Sequence, residues 1–205
     1  MRQTTDRNLA RAGEGTLWVR PLFTPRLSLR WFHAGDAESL AALGADAVVR
    51  ERTETIPYPF DLQAALSWIE QSAQLRAQGT AFRFAVLDRL EDRLLGVAAL
   101  ERCASDLPEI AYWLGRPFWD RGFGKEAALA SLAFARDVLR LPQMDALVYA
   151  ENTASVAVLK ALHFEELRFE TIHVPERGGN RLVRRFRTVF GIADGQSQRN
   201  ESRVA

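Results

Sequence analysis

The chain has 205 residues, with 27 lysines and arginines against 26 aspartates and glutamates, a formal net charge of +1, 47% hydrophobic residues and 26% charged ones. This balance excludes a disordered chain, a collagen-like repeat and a disulfide scaffold, and it supplies no overall field to steer the protein toward nucleic acid or an anionic membrane. One cysteine, Cys103, permits no internal disulfide and no cysteine-based zinc site, and His33, His163 and His173 lie too far apart in sequence for a paired metal motif. No apolar run approaches the roughly 18 residues of a membrane helix, and the N-terminus lacks the apolar core of a signal peptide. The expectation is a cytoplasmic protein with no metal and no membrane span.

Residues 1–23 read as a polar, mobile N-terminal extension, 24–190 as one domain, and 191–205 as a polar C-terminal tail. The first strand covers Arg26 to Trp31, where Leu27, Leu29 and Trp31 alternate with polar neighbours. Asp36 is placed to cap a helix carrying Leu40, Leu43 and Ala47. The prolines of Ile56-Pro57-Tyr58-Pro59-Phe60 exclude helix there, and Asp61 caps a second helix with Leu62, Leu66, Ile69 and Ala73 on one face. Ala81–Leu87 and Leu94–Leu100 flank a charged turn and predict a hairpin, followed by a strand at Glu109–Leu114.

A loop from Gly115 to Gly124 enters a long helix with Ala128, Leu132, Ala135 and Leu139 on one stripe, which Pro142 ends. Ala146–Ala150 predicts a short buried strand. Asn152 or Thr153 then caps a last helix bearing Val156, Leu159 and Leu162. Two closing strands lie at about 164–174 and 182–190. Hairpins in one half and a strand-helix-strand-helix unit in the other give an α/β (α+β) fold with a mixed, partly antiparallel sheet.

The chemistry concentrates in Glu109 to Ala127. There a strand leads through a loop into a helix whose first turn holds Gly122 and Gly124. The first N–H groups of a helix have no internal partner and the dipole is positive there, so a glycine-rich entry suits a pyrophosphate. A Walker A loop fails, because Trp119 stands where its first glycine belongs and Glu126 follows Lys125. Gly122-x-Gly124-x-x-Ala127 formally fits a dinucleotide fingerprint. However, seven residues separate it from the strand ending at Leu114, and the acidic Asp145 precedes the next strand instead of ending it. A helix entry with no ligand is the plain alternative.

Four ordered motifs decide among these readings. They are Thr24-Pro25-Arg26-Leu27-Ser28-Leu29-Arg30, Glu109-Ile110-Ala111-Tyr112-Trp113-Leu114, Trp119 to Ala127, and Asn152-Thr153-Ala154-Ser155 followed by Leu159 to Phe164. Together they resemble the GNAT N-acetyltransferases, and most closely the RimJ/RimL-like branch of ribosomal-protein alanine and serine N-acetyltransferases. The chain departs from that pattern at Trp119, where many members carry Gln or Arg. It departs again at His163, where a glycine is usual, and at Leu159, where many relatives carry an acid-donating tyrosine. The histidine replaces a residue that takes positive φ cheaply, so a reshaped helix end is expected.

The resemblance implies a mostly antiparallel sheet flanked by about four helices, acetyl-CoA as donor substrate, and an amine acceptor. It makes Glu109 the candidate base and Ser155 the candidate acid, or a hydrogen-bond donor to sulfur. Backbone N–H groups near Trp113 and Leu114 would hold the thioester carbonyl. Arg121, Gly122, Phe123, Gly124 and Lys125 would surround the pyrophosphate, and Asn152 and Ser155 the pantetheine arm.

Each residue also has a plainer role: Glu109 as a surface ion pair, Asn152 and Ser155 as first-turn helix residues, Cys103 as an inert thiol, and His33 as a satisfied loop histidine. Tyr58, Phe60, Trp68 and Arg83 are candidates for the acceptor pocket, with core packing as the alternative. Arg177, Arg181, Arg184, Arg185 and Arg187 read by default as a solvated strand face, and otherwise as a surface for an acidic acceptor or the CoA 3′-phosphate. The leading acceptor is a protein N-terminal α-amine. A small amine (polyamine, amino acid or aminoglycoside) and a non-catalytic acyl-CoA-binding module are the alternatives, and a homodimer is left open. No membrane or direct nucleic-acid partner is expected.

Overall fold

The computed structural model describes residues 9–12, 16–53, 56–175 and 178–191. Within the expected N-terminal extension, β1 (Leu9–Ala12) pairs antiparallel with β2 (Thr16–Val19) as a separate two-stranded sheet. The main chain path then runs β3 (Leu22–Phe23), β4 (Leu27–Trp31), α1 (Ala37–Gly44), α2 (Ala47–Glu51), α3 (Leu62–Ala77), β5 (Phe82–Asp88) and β6 (Leu94–Glu101). It continues through β7 (Glu109–Leu114), α4 (Phe123–Asp137), β8 (Gln143–Tyr149), α5 (Thr153–Ala161), β9 (Glu165–Val174) and β10 (Gly179–Val189). The eight-stranded sheet has the order β3-β4-β5-β6-β7-β8-β10-β9, antiparallel everywhere except β7 against β8.

The helix expected to run from Asp36 past Ala47 is two helices. Asp46 accepts hydrogen bonds from the Val48 and Val49 N–H groups and so starts α2 afresh. Asp36 makes no side-chain cap. It is buried, accepts two guanidinium hydrogen bonds from Arg30 at 2.8 Å each, and accepts one from the His33 N–H. Asp61 caps α3 as expected, through the Ala64 N–H. The described residues thus hold five α-helices, one more than the sequence suggests.

Helices cover both faces of the sheet. On one face α4 and α5 bury Phe84, Leu100, Phe134, Leu159 and Phe186; on the other α1 and α3 bury Leu40, Ile69, Ala85, Val97 and Trp113. Strand β5 therefore reads as a continuous apolar run, with Phe82, Phe84 and Val86 on the first face and Ala85 and Leu87 on the second. Each fully buried side chain of this kind contributes about 1.5–3 kcal/mol.

The feature that positions the site is the junction of β7 and β8. These strands share a single register pair, Glu109 with Asp145, backed by the Asp145 N–H donating to the Pro108 carbonyl at 2.8 Å. Beyond that point the ladder stops, and Ile110–Tyr112 and Ala146–Tyr149 line the two walls of a wedge.

Candidate active site

A cleft of about 480 Å³ opens where the wedge meets the first turns of α4 and α5. Trp113, Leu114, Gly122, Phe123, Gly124, Lys125, Asn152 and Ser155, all candidates from the sequence, line it. Arg121 does not. Its carbonyl accepts from Arg26 Nη1 at 2.8 Å, and its guanidinium stacks 4.9 Å from the Phe123 ring.

Gly122 caps α4 with φ 76° and ψ 2°, the left-handed conformation that glycine adopts without Cβ strain. This leaves the first N–H groups of α4 facing the cleft, with Lys125 alongside, an arrangement suited to phosphate oxygens. The Glu126 carboxylate fixes that turn from behind. It accepts from the Thr24 hydroxyl at 2.6 Å and from the Arg26 N–H at 2.9 Å.

Strand alternation separates the two expected carbonyl donors. The Gly115 N–H bonds the Leu95 carbonyl on β6, so the Trp113 N–H points to β6 as well, while the Tyr112 and Leu114 N–H groups point into the wedge. The Leu114 carbonyl is taken by Trp119 Nε1 at 2.7 Å. That bond gives Trp119 a structural task at the position where the family pattern often has a polar residue.

Asn152 is the cap of α5, its side chain accepting from the Ser155 N–H at 3.2 Å. Tyr112, Arg52 and Thr53 line both the cleft and the wedge, and sequence reasoning did not single them out. Tyr112 is even-numbered on β7, which sends its side chain toward α4 and α5, opposite to Trp113. Period-2 alternation carries that signal. Arg52 ends α2, and its guanidinium stacks 4.9 Å from the Trp119 ring; nothing local in the sequence marks that long-range contact.

Glu109 lies at the start of β7 and does not line the cleft. Its carboxylate accepts from Arg102 at 3.2 Å and Arg185 at 3.3 Å. Its cross-strand partner Glu101, on the same face, does line a pocket. This second pocket, about 170 Å³, is bounded by Trp68, Arg83, Val97, Ala99, Glu101, Ala111 and Trp113 on the α1/α3 side of the sheet. Arg83 donates to Glu101 at 2.6 Å and stacks 4.8 Å from the Trp68 ring. Of the four acceptor-pocket candidates Trp68 and Arg83 are brought there. Tyr58 is exposed beside Arg50, and Phe60 is buried against Gly44.

The arginine-rich strand is not a solvated face. Arg185 is buried and bonds Glu170, Asp145 and Glu109, while Arg187 grips Asp145 at 2.6 and 3.0 Å. Arg184 lies 3.7 Å from Glu166, and Arg181 stacks on Tyr149. The acids absent from the local sequence arrive from β7, β8 and β9. Arg177 lies outside the described residues. Burial pushes the Cys103 thiol up to about 12, with Glu101 adding to the push, which suits an inert thiol. No group of His, Cys, Asp and Glu among the described residues is arranged to hold a metal, and no described helix is long and apolar enough to cross a membrane.

Comparison with known proteins agrees with this geometry. The family model for the acetyltransferase (GNAT) domain matches residues 26–165. The uncharacterized N-acetyltransferase p20 of Bacillus licheniformis is 30% identical over 150 residues, 72% of this chain and 84% of that protein. RimL, a ribosomal L7/L12 α-N-protein acetyltransferase solved with coenzyme A, superposes with a TM-score of 0.74 at 17% identity, over 83% of this chain and 98% of its own. The microcin C7 self-immunity acetyltransferase MccE, solved with acetyl-CoA and AMP, gives 0.74 at 17% identity, over 90% of this chain and 100% of its own. Matched by its family model over most of its length, this chain belongs to the GNAT acetyltransferases and is an acyltransferase.

Proposed function

We propose that this protein acetylates a protein N-terminal α-amine with acetyl-CoA as donor. The observation that carries the reading is the wedge between β7 and β8, with the glycine-rich entry to α4 lining the cleft beside it on one face of the sheet and a pocket lined by Trp68, Trp113 and Glu101 on the other. The donor supplies a thioester, whose carbonyl carbon forms a bond to the amine nitrogen as its bond to sulfur breaks.

The residues present fit that donor. The α4 N-terminus, Gly122 and Lys125 offer backbone donors and one cation to the pyrophosphate. Asn152 and Ser155 border the arm, and the Leu114 N–H faces the place of the carbonyl oxygen, where a fixed donor stabilises developing negative charge. On the far side, the pocket beside Trp113 receives the amine. An α-amine has a pKa near 8, so a carboxylate must accept its proton at neutral pH. Glu101, which lines the pocket, and Glu109 opposite it are the pair that supplies this base. A space of about 170 Å³ suits one small terminal side chain, being little larger than the roughly 150 Å³ that holds a benzene.

A thiol-release assay with acetyl-CoA tests this against peptides beginning with Ala or Ser, polyamines, free amino acids and aminoglycosides. The peptides are expected to give the highest kcat/KM. Turnover confined to small amines overturns the N-terminal acceptor. CoA binding without turnover on any amine supports a non-catalytic module instead.

A further inference from the structure

The Tyr112 hydroxyl is buried and makes no close hydrogen bond among the described residues, with the Ser155 side chain as its polar neighbour. Such a group costs about 1–3 kcal/mol, and native structures rarely leave one without a reason. Its surroundings supply one. The ring packs against the first turn of α4, where a methyl on Gly124 would lie 3.4 Å from Tyr112 Cε2. The side chain borders both the cleft and the wedge, together with Asn152 and Ser155. One helical turn beyond Ser155, the same wall carries Leu159, which is fully buried and has no hydroxyl to offer. Burial pushes the Tyr112 phenol up to about 12, with the neighbouring Ser155 side chain opposing that push. It is therefore a protonated donor near neutral pH.

We propose that Tyr112 is a catalytic residue whose hydroxyl donates a hydrogen bond to the thioester sulfur and holds the charge that sulfur acquires as the carbon–sulfur bond breaks. This rests on the acyl-CoA reading above. The electron pair of the broken bond stays on sulfur, and the new carbon–nitrogen bond takes the amine lone pair. The carboxylate pair accepts the nitrogen's proton. Tyr112 keeps its own proton, since a free thiol ionises near 8.5, and the thiolate is protonated from solvent on release. Ser155 is the second hydroxyl at the same neck. Sequence motifs place Ser155 there from α5, whereas Tyr112 reaches it from β7, so only the assembled wedge brings the two together.

Tyr112→Phe keeps the ring and removes the donor. It is expected to lower kcat roughly 10²-fold, the scale of one positioned donor, with KM for the amine little changed. Thermal stability should be equal or higher, because an unpaired buried hydroxyl is gone. Calorimetric titration with CoA and with desulfo-CoA reads the sulfur contact directly. The wild type should prefer CoA, Tyr112→Phe should lose most of that preference, and Ser155→Ala should keep part of it. An unchanged preference and kcat in Tyr112→Phe overturn the proposal, as does a wild type that binds CoA and desulfo-CoA equally. A wild type that binds neither overturns the acyl-CoA reading itself.

Discussion

Arg26 and Glu126, 100 residues apart in sequence, form one lock. The Arg26 N–H donates to Oε1 at 2.9 Å, its Nε donates to Oε2 at 2.7 Å, and its Nη2 lies 2.6 Å from Oε2. The Thr24 hydroxyl adds a bond of 2.6 Å, and Arg26 Nη1 reaches on to the Arg121 carbonyl. Two motifs recognised separately in the sequence thus meet behind the cleft, where the start of the domain clamps the first turn of α4. The preceding Gly122 is held as closely, since a methyl there would sit 3.3 Å from Arg26 Nη2.

This lock predicts an acid-sensitive helix entry. Burial alone would raise the Glu126 pKa, but bonds from Thr24 and Arg26 outweigh it and hold it below the usual carboxylate range. The stabilisation is then fully present above the unfolded value of about 4.3 and is lost as pH falls through the lower folded value. Glu126→Gln is expected to cost about 1–3 kcal/mol in urea unfolding near neutrality and to flatten the acid limb of the stability curve. Acetyl-CoA affinity should weaken several-fold. A variant whose acid limb matches the wild type would remove Glu126 from this role.

Asp145 anchors the closed end of the wedge. Its side chain is fully buried, and both oxygens accept guanidinium bonds, Oδ1 from Arg187 and Oδ2 from Arg187 and Arg185. Burial would raise its pKa, yet these arginines lower it, so its contribution also persists above the ordinary aspartate range and fades as pH falls below it. Asp145→Asn leaves the buried Arg185 and the half-buried Arg187 without their shared carboxylate and is expected to cost about 3–5 kcal/mol by denaturant unfolding. Loss under 1 kcal/mol would show that Glu170 and Glu109 hold Arg185 unaided.

Local signals carried most of the fold. Alternation in Leu27–Leu29–Trp31, the Asp61 cap and the Gly122 helix entry each act within a few residues, and each is legible. What was not legible depends on distant partners. The arginines of β10 read as a solvated face because Asp145, Glu109 and Glu170 come from other strands. Asp36 read as a simple cap because Arg30 lies outside its turn. In the site, the glycine-rich entry and Asn152–Ser155 were readable as motifs. Tyr112 follows from the period-2 alternation of β7, whereas Glu101 does not, since its pocket is completed by Trp68 and Arg83 from other elements.

His163 shows a local signal with a measurable consequence. It occupies the left-handed position after α5 with φ 62°, and the His163 and Phe164 N–H groups close the helix end on the Lys160 and Leu159 carbonyls. A non-glycine residue there carries about 1–2 kcal/mol of steric cost, offset in part by its lower unfolded-state entropy. His163→Gly is expected to stabilise the protein by about 0.5–1 kcal/mol, raising Tm by roughly 2 °C. A fall in Tm would mean that the imidazole makes compensating contacts.

The two carboxylates opposite each other on β6 and β7 are separated by a kinetic comparison. Glu109 is committed to Arg102 and Arg185, whereas Glu101 bonds only Arg83 among the described residues and faces the pocket. A base must reach the amine directly or through one water, so Glu101 has the shorter route. Glu101→Gln is expected to lower kcat/KM for the amine by roughly 10²-fold or more, and Glu109→Gln by about tenfold through displacement of its neighbour. CoA affinity should be unchanged in both, because neither side chain borders the cleft. The pH profile of kcat/KM supplies the control: removing the true base abolishes its acid limb, whereas a positioning carboxylate only shifts it. If Glu109→Gln alone abolishes the limb, the base is Glu109 and the pocket carboxylate serves binding.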